Sequence, residues 1–562
     1  MKKLLLLFLL GCSSYLIAQV TNEGTPASWS LTEKSGLEAI SLPQIDIKKI
    51  KTEDDINDKI QAKPYRVGIS HKVNYGLDNS GTWSQLENGD RIWRILFSSK
   101  DAVHLSVNFD NTSLPNGASI YLYNDDRSDL LGAYTHTSNN KEQKFGTWFV
   151  KGDKLWVEYF EPKEVKDQGS LNVSSVIHGY RLGHTYQKGY KEFQKLNQSG
   201  DCNHDVDCPI GADFEAQKDM LKKSVGFLNM GDGFICSGNL LNNTAEDKTP
   251  YFLSANHCYE RNPGTANPAL FSMRFNWISP VTICGAVGNS TDASENLTTT
   301  GGAEFKARYV TGDMLLVELN NPIPPDWDVT YAGWDRTDDT PSFVVGIHHP
   351  AGDIMKISRD DSPVGKGPVT IAGQTSQVWR LNSGGGDWEI GVTEGGSSGS
   401  ALFDQNGRVI GQLFGAQIAA DVCDGTDDFA GATYYGRFAV SWTGGGSSSL
   451  RLKTWLDPNG VGGDPNTLNS LENVLAVNDE FLEQNISIFP NPTSGFVQIK
   501  IREWVSDYQY EIYNVLGQTL KFNELQNNEI LDLSDLPSDI YFMKITEIET
   551  NKILIKKIVL NK

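Results

Sequence analysis

Six of the seven cysteines lie between residues 202 and 423, and this clustering limits the folds open to the chain. The N-terminus reads MKKLLLLFLLGCSSYLIAQ, with two lysines, a short apolar run and then small residues. This pattern is typical of an export signal, here ending at residue 19. In an exported chain an even number of cysteines favours three disulfides. We therefore expect one covalently cross-linked domain in this region.

Two other uses of the cysteines stay open. A zinc site is the competing interpretation, but no two cysteines have the Cys-x-x-Cys spacing and the neighbouring histidines lack ligand-like spacing. We therefore expect no metal and no cofactor. The seventh cysteine, Cys12, ends the sequence LLGC, which resembles the site at which bacterial lipoproteins are cut and acylated.

Length and charge exclude several classes of protein. A chain of 562 residues is longer than one hydrophobic core usually supports, so we expect three or four units. Its 49 Lys and Arg against 70 Asp and Glu give a net charge of −21, which would repel nucleic acid and anionic membrane surfaces. The apolar N-terminal run is too short to span a bilayer comfortably. We expect a soluble monomer without a membrane span.

The region before the cysteines has the pattern of a β-sandwich. Residues 20–196 contain no cysteine, and the stretch AVHLSVNFD alternates apolar and polar side chains. It predicts a half-buried strand with Val103, Leu105, Val107 and Phe109 on the covered face. Similar runs occur in RIWRILFSS, ASIYLYND and DKLWVEYFE, separated by turn residues.

The C-terminal part divides into a linker and a small module. Residues 466–485 lose strand alternation and accumulate Asn, Asp and Glu, which predicts a linker that could contain a helical turn. Residues 486–562 contain short apolar runs, such as SGFVQIKI and KILIKKIVL, between Gly, Pro and Asn turns. We expect a small all-β module there.

Three stretches of the middle region could together perform nucleophilic catalysis. PYFLSANHCY places His257 after an apolar strand, and YVTGDMLLVELNN places Asp313 at the start of another. GGSSGS contains serines among glycines, which expose backbone N–H groups as an oxyanion site requires. Taken singly, these are an ordinary loop histidine, a turn aspartate and a linker. The order His, Asp, Ser matches one known order of the hydrolytic triad.

At this point the middle region resembles a known family. Residues 202–465 resemble the lysyl endopeptidase branch of the trypsin-like serine proteases, through CNHDVDCP, SGNLLNNTAEDKTPYFLSANHC, AGWDR, IHHP, GVTEGGSSGS, GQLFG and SWTGGG. The resemblance implies an all-β fold with a double β-barrel. It also implies His257, Asp313 and Ser398 as catalytic residues, with an oxyanion hole formed by the N–H groups of Gly396 and Ser398.

The same resemblance implies further site residues and the disulfides. The substrate-binding positions are Thr393, Leu413, Phe414, Gly415 and Thr433. The disulfides are Cys202 with Cys423, Cys208 with Cys284, and Cys236 with Cys258. The spacing alone leaves fifteen pairings open.

The chain departs from the pattern of these families at four positions. Ser400 stands where most trypsin-like enzymes have a Gly. Ser397 stands where most trypsin-like enzymes have the Asp that pairs with a new N-terminal amine. Thr433 stands where the lysyl endopeptidases carry an Asp for lysine recognition, and Phe414 replaces a histidine of that family. Lysine preference is therefore not implied, although Asp427 or Asp428 could supply a substitute carboxylate.

The last 76 or so residues resemble the type A sorting domain of the type IX secretion system, through FPNPTSG, YNVLGQ and LPSDIYFMKI. This implies secretion by a Bacteroidetes-type bacterium to the medium or the cell surface. We expect a signal peptide (1–19), a propeptide sandwich (20–196), a protease domain (197–465), a linker (466–485) and a sorting domain (486–562). The expected function is a secreted serine endopeptidase acting on extended polypeptides. The alternatives are an inactive surface adhesin on a protease fold and an esterase, the latter disfavoured because Gly-x-Ser-x-Gly is absent.

Overall fold

A computed structural model of the chain describes residues 24–31, 37–58, 62–181, 199–200, 202–261, 264–285, 290, 297–381, 388–418, 431–460, 462–473, 482, 485–514, 519–548 and 553–562. The predicted signal peptide, the residue Cys12 and the segment with Cys423, Asp427 and Asp428 lie outside the described residues. The fold is all-β, as the sequence predicts. The α-helices of the described part are short: Ile47–Asn57, Glu215–Leu221, Asn256–Tyr259, Phe438–Thr443 and Leu452–Leu456.

Two sheets form the N-terminal region and share one apolar core. The strands of the first sheet are Ile40–Ser41, Thr82–Gln85, Arg91–Ser98, Ser119–Tyr123, Leu130–Tyr134 and Lys154–Glu161. The strands of the second are Gly68–Gly76, His104–Ser113, Phe145–Gly146, Val150–Lys151 and Ser170–Gly179. The β-branched and aromatic residues of these strands supply that core.

The strand His104–Ser113 is buried on both faces, so the prediction of a half-buried strand is wrong. Its apolar residues face the core as predicted, but Ser106 and Asn108 are also buried. The reason is a second contact: the Asn108 side-chain amide donates to Ser175 Oγ and to the carbonyl of Gly231, a residue of the middle region. A polar side chain can face a buried surface when its hydrogen bonds are satisfied there.

The middle region contains two larger sheets. The eight-stranded sheet consists of Tyr65–Arg66, Val225–Asn229, Phe234–Leu241, Tyr251–Ala255, Ser272–Phe275, Leu297–Thr298, Ala303–Tyr309 and Met314–Leu319. The ten-stranded sheet consists of His204–Asp205, Trp334–Asp335, Val344–His348, Lys356–Asp360, Gly365–Ile371, Gln374–Leu381, Ala401–Phe403, Val409–Ile418, Gly431–Arg437 and Thr467–Leu468. One strand of the eight-stranded sheet, Tyr65–Arg66, comes from the N-terminal region.

The N-terminal and middle regions form one packed unit that ends at Asn473. Phe227, Trp277 and Ile354 of the middle region belong to the same apolar core as the N-terminal sheets, and Trp148 meets Phe227 edge-on at 5.2 Å. The start of the predicted linker belongs to this unit too. Thr467–Leu468 pairs with Trp334–Asp335, and Leu471–Glu472 pairs with Thr330–Tyr331.

The C-terminal unit has its own apolar core and two small sheets. One contains Ile486–Phe489, Phe496–Ile501 and Ile530–Asp532, and the other contains Tyr508–Asn514, Thr519–Leu525, Asp539–Glu547 and Ile553–Leu560. Among the described residues, none of the helices is both long and apolar enough to cross a bilayer.

Candidate active site

His257 and Asp313 form a buried pair at the ends of two neighbouring strands. The strand Tyr251–Ala255 runs antiparallel to Met314–Leu319, so the turn after the first lies beside the turn before the second. Asp313 Oδ2 lies 2.7 Å from His257 Nδ1, and Asp313 Oδ1 accepts the backbone N–H of His257 at 3.0 Å. A carboxylate bound in this way fixes both the orientation of the imidazole and the tautomer that carries its proton on Nδ1.

A third residue holds the carboxylate from the opposite side. The side-chain amide of Gln374 donates to Asp313 Oδ1 at 3.0 Å, and the side chain of Asp313 is fully buried. Asp313 itself has a positive φ of 49°, a conformation that Asp tolerates better than most residues. Gln374 begins the second strand of the hairpin Gly365–Leu381, far from His257 in the sequence. No pattern in its neighbourhood predicts this contact.

Ser398 lies close to the pair. Its carbonyl oxygen accepts the N–H of Ser237 at 2.8 Å and lies 3.9 Å from the sulfur of Cys258, the residue after His257. His257 Nε2 is buried and has no hydrogen-bond partner among the described residues, so the Ser398 hydroxyl does not bond it in this conformation. Such bonds are often long or misaligned before substrate binds.

The loop that carries Ser398 is held from several directions. Gly396 has a φ of 99°, and a Cβ added there would lie 2.9 Å from the His349 carbonyl oxygen. Gly399 has a φ of 85°, and a Cβ added there would lie 2.2 Å from Ser254 Oγ. These positions therefore require glycine. Within the described part of the chain, the N–H groups of Gly396 and Ser398 take part in no hydrogen bond.

Ser397 is anchored by a neutral histidine. Its hydroxyl lies 2.8 Å from Nδ1 of His348, and Nε2 of His348 lies 3.0 Å from Ser358 Oγ. Burial lowers the pKa of His348 to about 3, so the ring is neutral. Ser358 gives its proton to the carbonyl of Val392, so it accepts from Nε2, and Ser397 must donate to Nδ1. The loop that carries Ser398 is thus held at Ser397 by hydrogen bonds between neutral groups.

The predicted substrate-binding residues surround this loop. Phe414 lies edge-on to the His257 ring at 6.3 Å between centroids, and Leu413 exchanges backbone hydrogen bonds with Gly399 and Ser400. Gly415 pairs with Tyr434, and the neighbouring pair is Ala416 with Thr433. Thr393 is buried, and its hydroxyl has no partner within the described ranges.

Thr433 has a neighbour that the sequence pattern does not reveal. The indole N–H of Trp388 donates to Thr433 Oγ1 at 3.3 Å, and both side chains are buried. Trp388 also belongs to the apolar cluster that contains Val392, Leu413 and Tyr435. Thr433 thus lies beside an indole N–H and next to an apolar cluster.

A segment of the N-terminal region crosses the same surface. Ala62 packs in a small apolar cluster with Phe414, and Tyr65 pairs with Ile235 in an antiparallel ladder. The Tyr65 ring lies against Gly395, where an added Cβ would be 2.8 Å from it.

The residues between Ala62 and Tyr65 line a cleft of about 700 Å³ together with His257. Pro64 is buried. Lys63 is exposed, and its ammonium group donates to Asn57 Oδ1 at 3.0 Å.

Two of the predicted disulfides are present, Cys208 with Cys284 and Cys236 with Cys258. Cys202 is also disulfide-bonded. His204 lies near Cys208 and Cys284, but two sulfurs joined in a disulfide offer no thiolate to a metal. The bridge at Cys258 fixes the turn next to His257.

Comparison with known proteins matches two segments of the chain to families. Residues 196–435 match the model of the lysyl endopeptidase C-terminal domain, and residues 487–561 match that of a secretion system C-terminal sorting domain. Both resemblances noted in the sequence are confirmed. A type IX sorting domain of this kind directs its carrier to the cell surface or the medium, so the lysyl endopeptidase-type segment belongs to an exported chain of the Bacteroidetes type.

One curated relative is the lysyl endopeptidase of Pseudomonas aeruginosa, which is 34% identical over 274 residues. The match covers 47% of this chain and 54% of the relative, so the chain spans about half the length of the relative that it matches. Among solved structures, the MamO protease domain from Magnetospirillum magneticum is 12% identical, covering 38% of this chain and 92% of that domain with a TM-score of 0.23. The match of the middle segment to the lysyl endopeptidase model and to this relative supports a peptidase.

Proposed function

We propose that the chain is a secreted serine endopeptidase that cleaves extended polypeptides through Ser398, His257 and Asp313. The observation that carries the proposal is the buried His257–Asp313 pair beside the Ser398 loop, within a segment that matches the lysyl endopeptidase family. A complete set of nucleophile, base and orienting acid has no structural purpose in a binding protein, which argues against the adhesin alternative.

In this mechanism Ser398 Oγ attacks the carbonyl carbon of the scissile peptide bond, and its proton passes to His257 Nε2. Asp313 stabilises the imidazolium that forms, because its Oδ2 accepts the hydrogen bond of the Nδ1 proton. The distance from Oδ2 to Nδ1 is 2.7 Å. The carbonyl oxygen becomes an oxyanion that accepts the free N–H groups of Gly396 and Ser398. His257 then gives the proton to the leaving amine, and an acyl-enzyme remains, which water hydrolyses by the same steps in reverse.

We further propose that the substrate pairs as an extended strand along Leu413–Ala416. The backbone of Gly415 and the ring of Phe414 would bind the residues before the scissile bond, and Thr393 and Thr433 would line the pocket for the residue that precedes it. Trp388, which donates to Thr433, belongs to an apolar cluster with Val392 and Leu413. We therefore propose that an uncharged residue is preferred there unless Asp427 or Asp428 supplies a carboxylate.

The N-terminal sandwich would be a propeptide that keeps the enzyme latent. Tyr65 and Arg66 occupy an edge of the site as an added strand, a common mode of peptide binding. Ala62 packs in the same apolar cluster as Phe414, and the Tyr65 ring packs against Gly395, so a substrate could not lie along the same path. Cleavage near residue 196 would release this cover, leaving the protease domain from about residue 197.

The experiment that tests the function is labelling by a serine-reactive fluorophosphonate, followed by peptide-substrate hydrolysis. The mature protein should be labelled and active, and Ser398→Ala should be neither. Ser397→Ala is the matched control because its hydroxyl bonds His348 and not substrate. A folded, processed chain that is not labelled and cleaves no peptide would favour the adhesin. Labelling with ester hydrolysis alone would favour the esterase.

A further inference from the structure

The peptide unit between Gly395 and Gly396 is fixed by a contact on its carbonyl side. The N–H of Ala351 donates to the Gly395 carbonyl at 2.6 Å. In a planar trans peptide the carbonyl and the N–H point in opposite directions, so this bond sets the direction of the Gly396 N–H. Whatever holds Ala351 in place therefore also aims one proposed oxyanion donor.

Ala351 is itself in an unusual conformation that needs support. It has a positive φ of 54° inside the turn Pro350–Gly352, which costs energy for a residue with a Cβ. Asp353, the first residue after this turn, is buried. Its Oδ2 accepts the hydroxyl of Ser199 at 2.6 Å and the N–H of Ser199 at 3.3 Å. Its Oδ1 accepts the N–H of Ile354 at 2.7 Å. The turn is thereby tied to Ser199.

A second, partly buried carboxyl group ties the same stretch of chain to the nucleophile loop. Glu394 directly precedes Gly395, and its Oε1 accepts the N–H of Gly200 at 2.9 Å and the side-chain amide of Asn203 at 3.1 Å. The hydrogen bonds thus form a closed circuit from Ser199 through Asp353, the turn at Ala351, Gly395 and Glu394 back to Gly200.

We propose that Ser199 and Gly200 position the oxyanion-forming Gly395–Gly396 peptide through the carboxyl groups of Asp353 and Glu394. The proposal rests on the serine peptidase function proposed above. Asp353 and Glu394 touch no substrate and are positioning residues. They occupy the place of the missing activation contact, since Ser397 lacks the carboxylate that most trypsin-like enzymes use there. Their partners are Ser199 and Gly200, which lie two to three residues after residue 197, the proposed start of the protease domain.

Burial is consistent with this arrangement. It raises the pKa of Glu394 to about 7 and that of Asp353 to about 6. Lys356 counteracts the rise for both groups, and its ammonium group bonds Asp205 at 2.6 Å. Buried carboxyl groups that accept backbone N–H donors are costly to place and are retained where they hold a defined geometry.

The test compares variants of the mature enzyme that remove or keep the contacts. Ser199→Ala removes a hydroxyl donor of the circuit, and Glu394→Met removes a carboxyl acceptor. Ser199→Thr keeps the hydroxyl, and Glu394→Gln keeps an acceptor oxygen at the same place. Glu389→Met is the control, because Glu389 lies nearby on the exposed surface. We would measure KM, and kcat per active site as titrated with fluorophosphonate. We would also measure the affinity of a peptide aldehyde whose oxygen enters the oxyanion hole.

Removing one oxyanion donor typically lowers kcat by about a hundredfold to a thousandfold, so a misdirected donor should cost about tenfold or more. We expect that loss in kcat for Ser199→Ala and Glu394→Met, with KM within about twofold and weaker aldehyde binding. Ser199→Thr, Glu394→Gln and Glu389→Met should keep most activity.

Equal kcat per titrated site in all folded variants would overturn the proposal, as would a change confined to KM or to thermal stability. If Glu394→Met does not fold, Ser199→Ala decides alone, because it deletes a single hydroxyl. Failure of the peptidase function itself would look different, since the unaltered enzyme would then be unlabelled and inactive.

Discussion

His257 Nδ1 lies 2.7 Å from Asp313 Oδ2, and the same carboxyl group accepts the backbone N–H of His257 through its other oxygen. Both oxygens of Asp313 are therefore committed to one residue, with Gln374 as a further donor. This arrangement leaves His257 Nε2 without a hydrogen-bond partner among the described residues. The strand pairing that creates it, in the eight-stranded sheet, ends with Ala255 opposite Met314.

The first prediction is that Ser398→Ala, His257→Ala and Asp313→Asn each abolish most peptidase activity. Loss of one triad member typically lowers kcat by several orders of magnitude, and the losses do not add because the residues act as a unit. Steady-state kinetics on a peptide amide would measure this. Ser397→Ala should lose far less, and a reversed order, with Ser397 essential and Ser398 dispensable, would refute the assignment of the nucleophile.

The sequence predicted the elements of this site better than their environment. His257 and Asp313 were recognisable because each lies at the end of an apolar strand. The GGSSGS loop was recognisable by its glycines and by the order His, Asp, Ser. Gln374, Trp388 and Tyr65 were not, because their contacts depend on how distant strands pack, and single-sequence patterns carry no such information. The same limit explains the strand at residues 104–113, whose alternation indicated one exposed face although the middle region covers that face.

The second prediction concerns latency. In the uncleaved chain, Tyr65→Ala should increase the rate of fluorophosphonate labelling at Ser398 about tenfold, because the ring covers Gly395 and anchors the added strand. Tyr65→Phe keeps the ring and should label as slowly as the unaltered precursor. If the unaltered precursor were labelled as fast as the mature enzyme, the N-terminal region would not be a cover.

The third prediction concerns the residue before the scissile bond. Burying an ammonium group without a carboxylate costs about 3 to 5 kcal/mol, which corresponds to about a hundredfold to a few thousandfold in discrimination. We therefore expect Thr433→Asp to gain at least a hundredfold in kcat/KM for lysine over leucine in a peptide library. The indole N–H of Trp388 could donate to the new carboxylate, because it already donates at this position.

The matched variants for this test are Asp427→Asn and Asp428→Asn. If the unaltered enzyme already prefers lysine strongly and one of these changes removes the preference, that residue supplies the carboxylate. Strong lysine preference that survives both changes would refute this description of the pocket.

The fourth prediction is a stability effect at a buried ion pair. Lys356 Nζ lies 2.6 Å from Asp205 Oδ1, and each side chain is 2% exposed. Asp205→Asn leaves the ammonium group buried without its counter-charge, so it should lower the free energy of unfolding by about 3 to 5 kcal/mol. Lys356→Met combined with Asp205→Leu should cost less than either single change. The readout is urea unfolding of the Ser398→Ala protein, which cannot digest itself.

The control for this pair is Lys154 with Asp125, which are 3.0 Å apart but 43% and 51% exposed. Asp125→Asn should change the free energy of unfolding by less than about 1 kcal/mol, because solvent screens exposed pairs. Equal effects of Asp205→Asn and Asp125→Asn would contradict the assigned role of burial.

The fifth prediction is that Glu394 makes stability fall as pH rises toward neutrality. Burial raises its pKa from the usual 4.5 to about 7, with Asp353 adding to the rise, Lys356 opposing it and the neutral Tyr65 lying nearby. Because the folded-state pKa is above the unfolded value, folding takes up a proton between these two pH values. The stabilisation is complete below about pH 4.5 and is lost as pH rises through about 7.

Glu394→Gln mimics the protonated carboxyl group and should remove this dependence. Relative to that variant, the unaltered Ser398→Ala protein should lose on the order of 3 kcal/mol of unfolding free energy between pH 4.5 and pH 8. Glu246→Gln, the same chemical change at an exposed residue, should follow the unaltered protein at each pH. A difference between Glu394→Gln and the unaltered protein that stays constant from pH 4.5 to 8 would mean that Glu394 does not titrate in this range.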